Sequence, residues 1–318
     1  MDPMSLSTLL ICFGGGVVGA ALGGLFSFVI CGLMVLMGCV VIMSGGSEFI
    51  ILQIGLGPIF GPHVGGFTAG VVAVTYAAGV KKNLVSETGK DILSPLVDTS
   101  WDVLVVGGVA SVIAHLLLQV LAQIPVINTF DIIALDVVII AIVARALFCQ
   151  EMPFGNLDSI KKNGLLGTDK GALSWVPWAA APSKLITIGL GVGLLSGGLA
   201  MGVKETMVAS GTYANPGGPV VPVIICWSLA AISLIALELG TGEIQKFPVW
   251  HCQSILSAIA FLTFDSILIA GVVGILAALL QELMARLFWN HGSNHIDPPA
   301  CAIAVGTFII SLVSKAIV

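Results

Sequence analysis

Charge is what this chain lacks. Only 9% of its 318 residues are Asp, Glu, Lys or Arg, against roughly 25% in a soluble globular domain, so a water-soluble fold is excluded. The mean hydropathy of +1.09 points the same way, to a polytopic membrane protein. No polar stretch is long enough for a sizeable soluble domain, and no nucleic-acid partner is expected.

Recognisable chemistry motifs are missing too. There is no Walker sequence, no G-x-S-x-G and no H-E-x-x-H, which removes support for ATP-driven transport by this chain alone and for standard hydrolase chemistry. Gly14-Gly15-Gly16 and Gly191-Val192-Gly193 lack the preceding strand that a nucleotide loop needs. The seven cysteines are scattered through apolar runs without a C-x-x-C pair, so neither disulfides nor a zinc site is expected. The N-terminus has no basic region followed by a cleavage site, and the first helix is expected to stay.

What the chain does have is a succession of apolar runs. A helix needs about 20 apolar residues to cross the hydrocarbon core, and the length allows on the order of ten spans. Residues 4–46 read as two helices turning near Gly23-Gly24. Residues 47–62 are apolar but broken by Gly55, Gly57, Pro58, Gly61 and Pro62, the pattern of a re-entrant or discontinuous segment. Spans follow at about 63–80, 102–121 and 131–148, then a polar connection at 149–183 holding Trp175 and Trp178. The second half places spans at about 184–203, 219–239, 249–264, 266–288 and 299–317, with another broken region near 240–250.

The halves align helix by helix. Ile11 to Leu22 lies over Ile188 to Leu199, His63 to Tyr76 over His251 to Phe264, Asp102 near Asp265, and Asp136 over Asp297. Matches in chain order point to a duplication. Five spans per half is odd, so the halves would be inverted in the membrane. The expected organisation is an all-α protein of about ten transmembrane helices in two inverted five-helix repeats, residues 1–148 and 184–318, joined by a cytoplasmic loop at 149–183. Lys81, Lys82, Lys90, Arg145, Lys161, Lys162, Lys170, Lys246 and Arg286 fall inside if the N-terminus is outside, and Lys204 and Lys315 fall outside. Both termini are then expected on the outer side of a plasma or inner membrane.

Ionisable groups at membrane depth are candidates for function. His63 and His251 each follow a Gly/Pro break and open an apolar run, where a discontinuous helix brings backbone ends to a central cavity. Read as symmetry mates, they would handle solute or protons; the plain alternative is two interfacial helix-end histidines. Glu48 and Glu238 stand 13 to 15 residues ahead of these histidines and are candidates for holding H+ or Na+. Thr68 and Gln253, just inside the two helices, and Asp265, between two apolar runs, complete the candidate pathway. Asp265 is also expected to cap the following helix, and Asp102, Asp131, Asp136 and Asp297 read as helix caps. His115 lies mid-helix with Ala278 at the matching place and reads as a lone packing or helix-contact histidine. His291, His295 and Asp297 share a loop that is more ordinary than metal-binding.

The layout resembles that of five-plus-five channels and transporters, without a shared motif. The reading is therefore a non-enzymatic transporter of a small solute at the repeat interface, coupled to H+ or Na+, in a lipid bilayer and as a possible homo-oligomer. The alternative is a passive channel for a small neutral or weakly basic solute. A membrane-embedded enzyme using the 291–297 region is a third reading.

Overall fold

The computed structural model describes residues 2–168 and 173–317; Lys170, counted above among the basic residues, lies outside them. The described residues are helical, with no β-strand among them. Among the described residues seven helices are long and apolar enough to cross a membrane, as expected of a helical membrane protein.

The first half opens with α1 (Leu6–Leu22), capped by the Ser5 hydroxyl, which accepts from the Thr8 N–H. Gly23, at φ +88°, ends α1 where a side chain would be strained, and α2 (Gly24–Met43) starts at once. The break expected at 47–62 is real. A π-helical turn at Ile50–Gly55 packs back along α2, and irregular turns run from there to α3 (Thr68–Tyr76). A further π turn, Ala77–Lys81, extends α3. Then come α4 (Trp101–Leu121) and α5 (Ile132–Ala144), the latter prolonged by a π turn, Arg145–Cys149.

The connection read as loop contains a short helix, α6 (Leu157–Asn163), capped by Asn156. In the second half α7 (Pro182–Ser210) outruns its expected end at 203, because no Gly or Pro interrupts 203–210 and Gly211 stops it in the left-handed region. The span expected at 219–239 divides into α8 (Val221–Ser233) and α9 (Ile235–Leu239). An extended stretch leads to α10 (His251–Phe264), and α11 (Ile267–Met284) and α12 (Pro298–Ile317) complete the chain. Seven long helices rather than ten results from the breaks: α1, α3 and α10 are shorter, and α3 and α10 begin with the buried Thr68 and His251, inside the bundle.

Glycine sets the close packing. A Cβ on Gly19 would lie 2.0 Å from the Gly65 carbonyl oxygen, and one on Gly274 would lie 2.2 Å from that of Gly189. These contacts bring the 56–67 turns onto α1 and bring α11 onto α7. In the first half α1, α3 and α4 pack together, and α7, α10 and α11 do so in the second. Helices α2 with α8 and α5 with α12 join the halves.

The connections 82–100, 150–168, 240–250 and 285–297 gather at one end of the bundle and bond to one another or to the helix ends there. Lys90 donates to the Asn290 carbonyl, Asn156 N–H to the His291 carbonyl, and Arg286 to that of Leu166. Arg145 is fully buried there and holds Asn294 by both its side-chain and backbone oxygens, while Asn294 donates to the Ala141 carbonyl.

Candidate functional site

A cavity of about 320 Å³ opens among these connections. Its walls come from segments far apart in sequence: Phe28 of α2, Phe67 just before α3, Trp175 and Trp178 ahead of α7, and Trp289 after α11. Lys90 and Asp91 stand at its rim, half-buried. His251 and Asp297 close its floor, where α10 and α12 begin.

Local sequence explains that floor. Pro298 and Pro299 open α12, where a missing N–H costs nothing, and the Asp297 Oδ2 accepts from the next available donor, Ala300 N–H, at 2.8 Å. Asp297 is thus a cap, as expected, but a buried one facing a cavity. Its other oxygen accepts from His295 Nε2 at 3.2 Å. The Trp289 indole can only donate, so its 3.1 Å bond makes His295 Nδ1 the acceptor and leaves the proton on Nε2. His251 packs on Phe28 at 5.2 Å between ring centroids, and its Nδ1 has no partner.

A second cavity, of about 100 Å³, shares Phe28, Phe67, His251 and Asp297 with the first. It continues between Ile133 and Ala134 of α5, Trp227 of α8 and Ile303 of α12. The four shared residues form a waist between two chambers.

Lys90 is the cation of the larger chamber. Its ammonium sits 4.0 Å from the Trp289 ring centroid and 3.1 Å from the Asn290 carbonyl oxygen. Burial, with the Arg145 charge adding, pushes it down to about 8.

His63 is elsewhere. It is buried in the turns five residues before α3, whereas His251 is the first residue of α10, so the two are not positional mates. His63 stacks on His115 of α4 at 6.5 Å, and neither of its nitrogens has a hydrogen-bond partner. Of the two readings of His115, packing and helix contact, the second describes it. Its Nε2 meets the Pro3 carbonyl at 2.8 Å, while its Nδ1 and the buried Ser111 hydroxyl one turn earlier are unpartnered. Gly16 of α1 packs directly on Ser111.

The remaining candidates scatter. Thr68 is buried at the start of α3 and donates to the Pro62 carbonyl, closing the turn that holds His63. Gln253 is buried on α10 with its carbonyl oxygen unpartnered. Glu238 lies on α9, one residue beyond the cavity-lining Leu237, with one carboxylate oxygen buried and unpartnered. Glu48 lies in a turn packed beside Gly217, away from both chambers. Asp265 is exposed at φ +51° and terminates α10; the cap of α11 is Ser266, whose hydroxyl accepts from Ile269 N–H. Asp102 pairs with Lys81 at 2.9 Å and accepts from Tyr76. The α5 cap is Asp131, leaving Asp136 in the helix, fully buried with neither oxygen partnered. No group of three metal-ligating side chains exists among the described residues. His291 instead contacts Ser159 and the Leu165 carbonyl.

Sequence reasoning missed Lys90, Trp289 and Arg145 as site builders. Trp175 and Trp178, two large aromatics within a polar connection, were the one signal of an apolar wall there.

These features define a helical membrane protein with a two-chambered cavity where interrupted helices meet. The chain belongs to the family described as a family of unknown function (DUF7973), which matches it over residues 1–318. No curated protein and no solved structure matches it.

Proposed function

We propose that the chain is a transporter of a small solute, with the solute held in the two chambers between inverted five-helix halves, residues 1–148 and 184–318. The observation that carries this reading is the waist. Two cavities that share Phe28, Phe67, His251 and Asp297 offer a solute adjoining positions between the halves, which supports a site at the repeat interface. The chambers draw on α2 and α5 from the first half and on α8 and α12 from the second. The α1–α3–α4 packing recurs as α7–α10–α11, and the broken segments complete α3 and α10 to five crossings per half.

Helix α1 ends, and α7 begins, at the end of the bundle that holds Lys81, Lys82, Lys90, Lys161, Lys162, Lys246 and Arg286. Lys204 and Lys315 lie at the other end. The bias puts the first end in the cytoplasm and both termini outside.

Coupling to H+ or Na+ falls to the buried groups that keep unpartnered polar atoms: His63 with His115, Asp136, and Glu238 beside the larger chamber. An ionisable side chain buried without a partner is costly in a membrane protein, and carrying an ion offsets that cost.

Uptake into proteoliposomes, with a panel of small solutes and imposed H+ or Na+ gradients, tests the proposal. Saturable uptake that a gradient drives above equilibrium is expected. Uptake that follows the solute gradient alone, without saturation, makes the protein a channel; no flux of any solute removes both readings.

A further inference from the structure

The uncommitted polar groups of the larger chamber indicate what kind of solute fits it. Three charged side chains line it: Lys90, Asp91 and Asp297. Both carboxylates already accept hydrogen bonds from their own surroundings. Asp91 accepts from the Leu93 and Ser94 N–H groups at 3.2 and 3.0 Å and from the Ser94 hydroxyl at 2.8 Å. Asp297 accepts from His295 and caps α12. A cationic guest on either carboxylate would compete with the hydrogen bonds that hold the 91–94 turn or cap α12.

Lys90 differs. One of its three protons goes to the Asn290 carbonyl, and it is in no ion pair among the described residues. An ammonium over an indole ring beside a mostly apolar chamber is held in place yet keeps donors to spare. The walls are aromatic, and about 320 Å³ lies within the range of small-molecule sites.

We propose that the chamber binds a small organic monocarboxylate, its carboxylate on Lys90 and its apolar body among Trp175, Trp178, Trp289 and Phe67. The assignment builds on the transport reading only for its location, and binding can be measured without flux. A lysine at the mouth also gives the site its selectivity. It repels amines, and it rewards an anion over a neutral isostere by a charge-assisted hydrogen bond.

The test uses the purified full-length chain in detergent, with intrinsic tryptophan fluorescence as readout. The probes are phenylacetate, phenylacetamide and phenethylamine, which share one body and differ in charge. Phenylacetate is expected to bind at least about tenfold tighter than the amide, and the amine more weakly than either. Lys90→Gln should bring phenylacetate down to the amide's affinity, while Lys90→Arg keeps the preference. Equal or tighter binding of the amide or the amine overturns the proposal, as does a Lys90→Gln variant that keeps the preference. If Lys90→Gln does not fold, the three probes on the parent chain and on Lys90→Arg decide alone. Carboxylate binding without uptake in proteoliposomes would retain this inference and remove the transport reading. Uptake confined to amines would do the reverse.

Discussion

His251 and His63 both lie where a helix has been interrupted, yet their surroundings are built differently. Beside His251 the groups that frame the cavity are bonded to one another: His295 is fixed by Trp289 and Asp297, and Asp297 by Ala300, while His251 Nδ1 and the Gln253 carbonyl oxygen stay unpartnered. That region encloses space. Around His63 the polar groups are unspoken for, with two nitrogens of His63, one of His115 and the Ser111 hydroxyl all buried and unpartnered. It lines neither chamber. A frame whose His295 and Asp297 are held by hydrogen bonds around a cavity suits recognition of a solute. A tightly packed cluster of unsatisfied groups suits the gain and loss of a proton. The difference separates binding from coupling, and each of the following substitutions presses on it.

The largest effect is expected at the frame itself. Arg145 carries no solute contact but holds residues 294–297 in place through Asn294 and reaches the Pro153 carbonyl. Arg145→Ala leaves those oxygens and the Asn294 side chain buried without a donor, a loss of about 3–5 kcal/mol. That is much of an ordinary margin of 5–15 kcal/mol. Size-exclusion profiles after mild heating should show little folded variant. Gly292→Ala should act similarly, because its Cβ would fall 2.0 Å from the Arg145 guanidinium. Arg145→Ala running as a stable monodisperse species would mean that the frame does not depend on it.

Next come the histidines. His251→Ala is expected to lower uptake at least about tenfold by losing both a waist contact and a polar group in the chamber, with thermal stability lowered as for any buried truncation. His63→Leu should do something different. Removing two unpartnered nitrogens is expected to raise the unfolding midpoint, by the equivalent of about 1 kcal/mol, and to leave carboxylate binding within about twofold. It should abolish accumulation driven by a proton gradient while solute exchange across the membrane continues. If His63→Leu instead weakens binding as strongly as His251→Ala, the two regions are one site and the comparison collapses.

A smaller effect is expected from pH. Lys90 is held near 8, below the ordinary lysine value, by burial and by Arg145, with Glu151 opposing. Asp91, Asp297, His295 and His251 also line its chamber. The ammonium is therefore charged below about 8 and lost above it. Phenylacetate affinity should be level through pH 7 and fall above about 8 toward the affinity of the amide. Lys90→Arg should flatten the profile over that range, since a guanidinium keeps its charge. A profile unchanged by that substitution would assign the titration to another group.

Much of the helical frame was legible from apolar runs and Gly/Pro breaks: the Gly23–Gly24 turn, the interruption at 47–62, and the spans read at 102–121 and 299–317, which begin within one residue of α4 and α12. Periodicity and breakers report on local structure, and that is local. The site was less legible because it is assembled from side chains as distant as Phe28, Lys90, Trp175 and Trp289, none of which belongs to a motif. Lys90 read as a topology marker because its depth depends on where the 82–100 connection folds. Pairing His63 with His251 followed from an ungapped match that placed both at helix starts. The turns that carry Pro62 to Phe67 displace His63 from the start of α3, and only packing reveals that it faces His115.

The smallest effect is expected at Asp265, which the sequence offered as a pathway residue. It sits in an exposed turn about 20 Å along α10 from His251, with a φ of +51° that favours glycine over aspartate. Asp265→Gly relieves the left-handed strain, and the greater freedom of glycine in the unfolded chain offsets part of the gain, so stability should move by less than about 1 kcal/mol. Asp265→Asn, which keeps the shape and removes the charge, should leave uptake within about twofold. The turn lines neither chamber and its carboxylate faces solvent, so neither binding nor coupling as assigned above has a use for it. A collapse of uptake in Asp265→Asn with binding intact would put the exit of the pathway at this turn, past the end of α10. The second chamber would then have to open toward Asp265 in another state of the protein, along the helix that His251 begins.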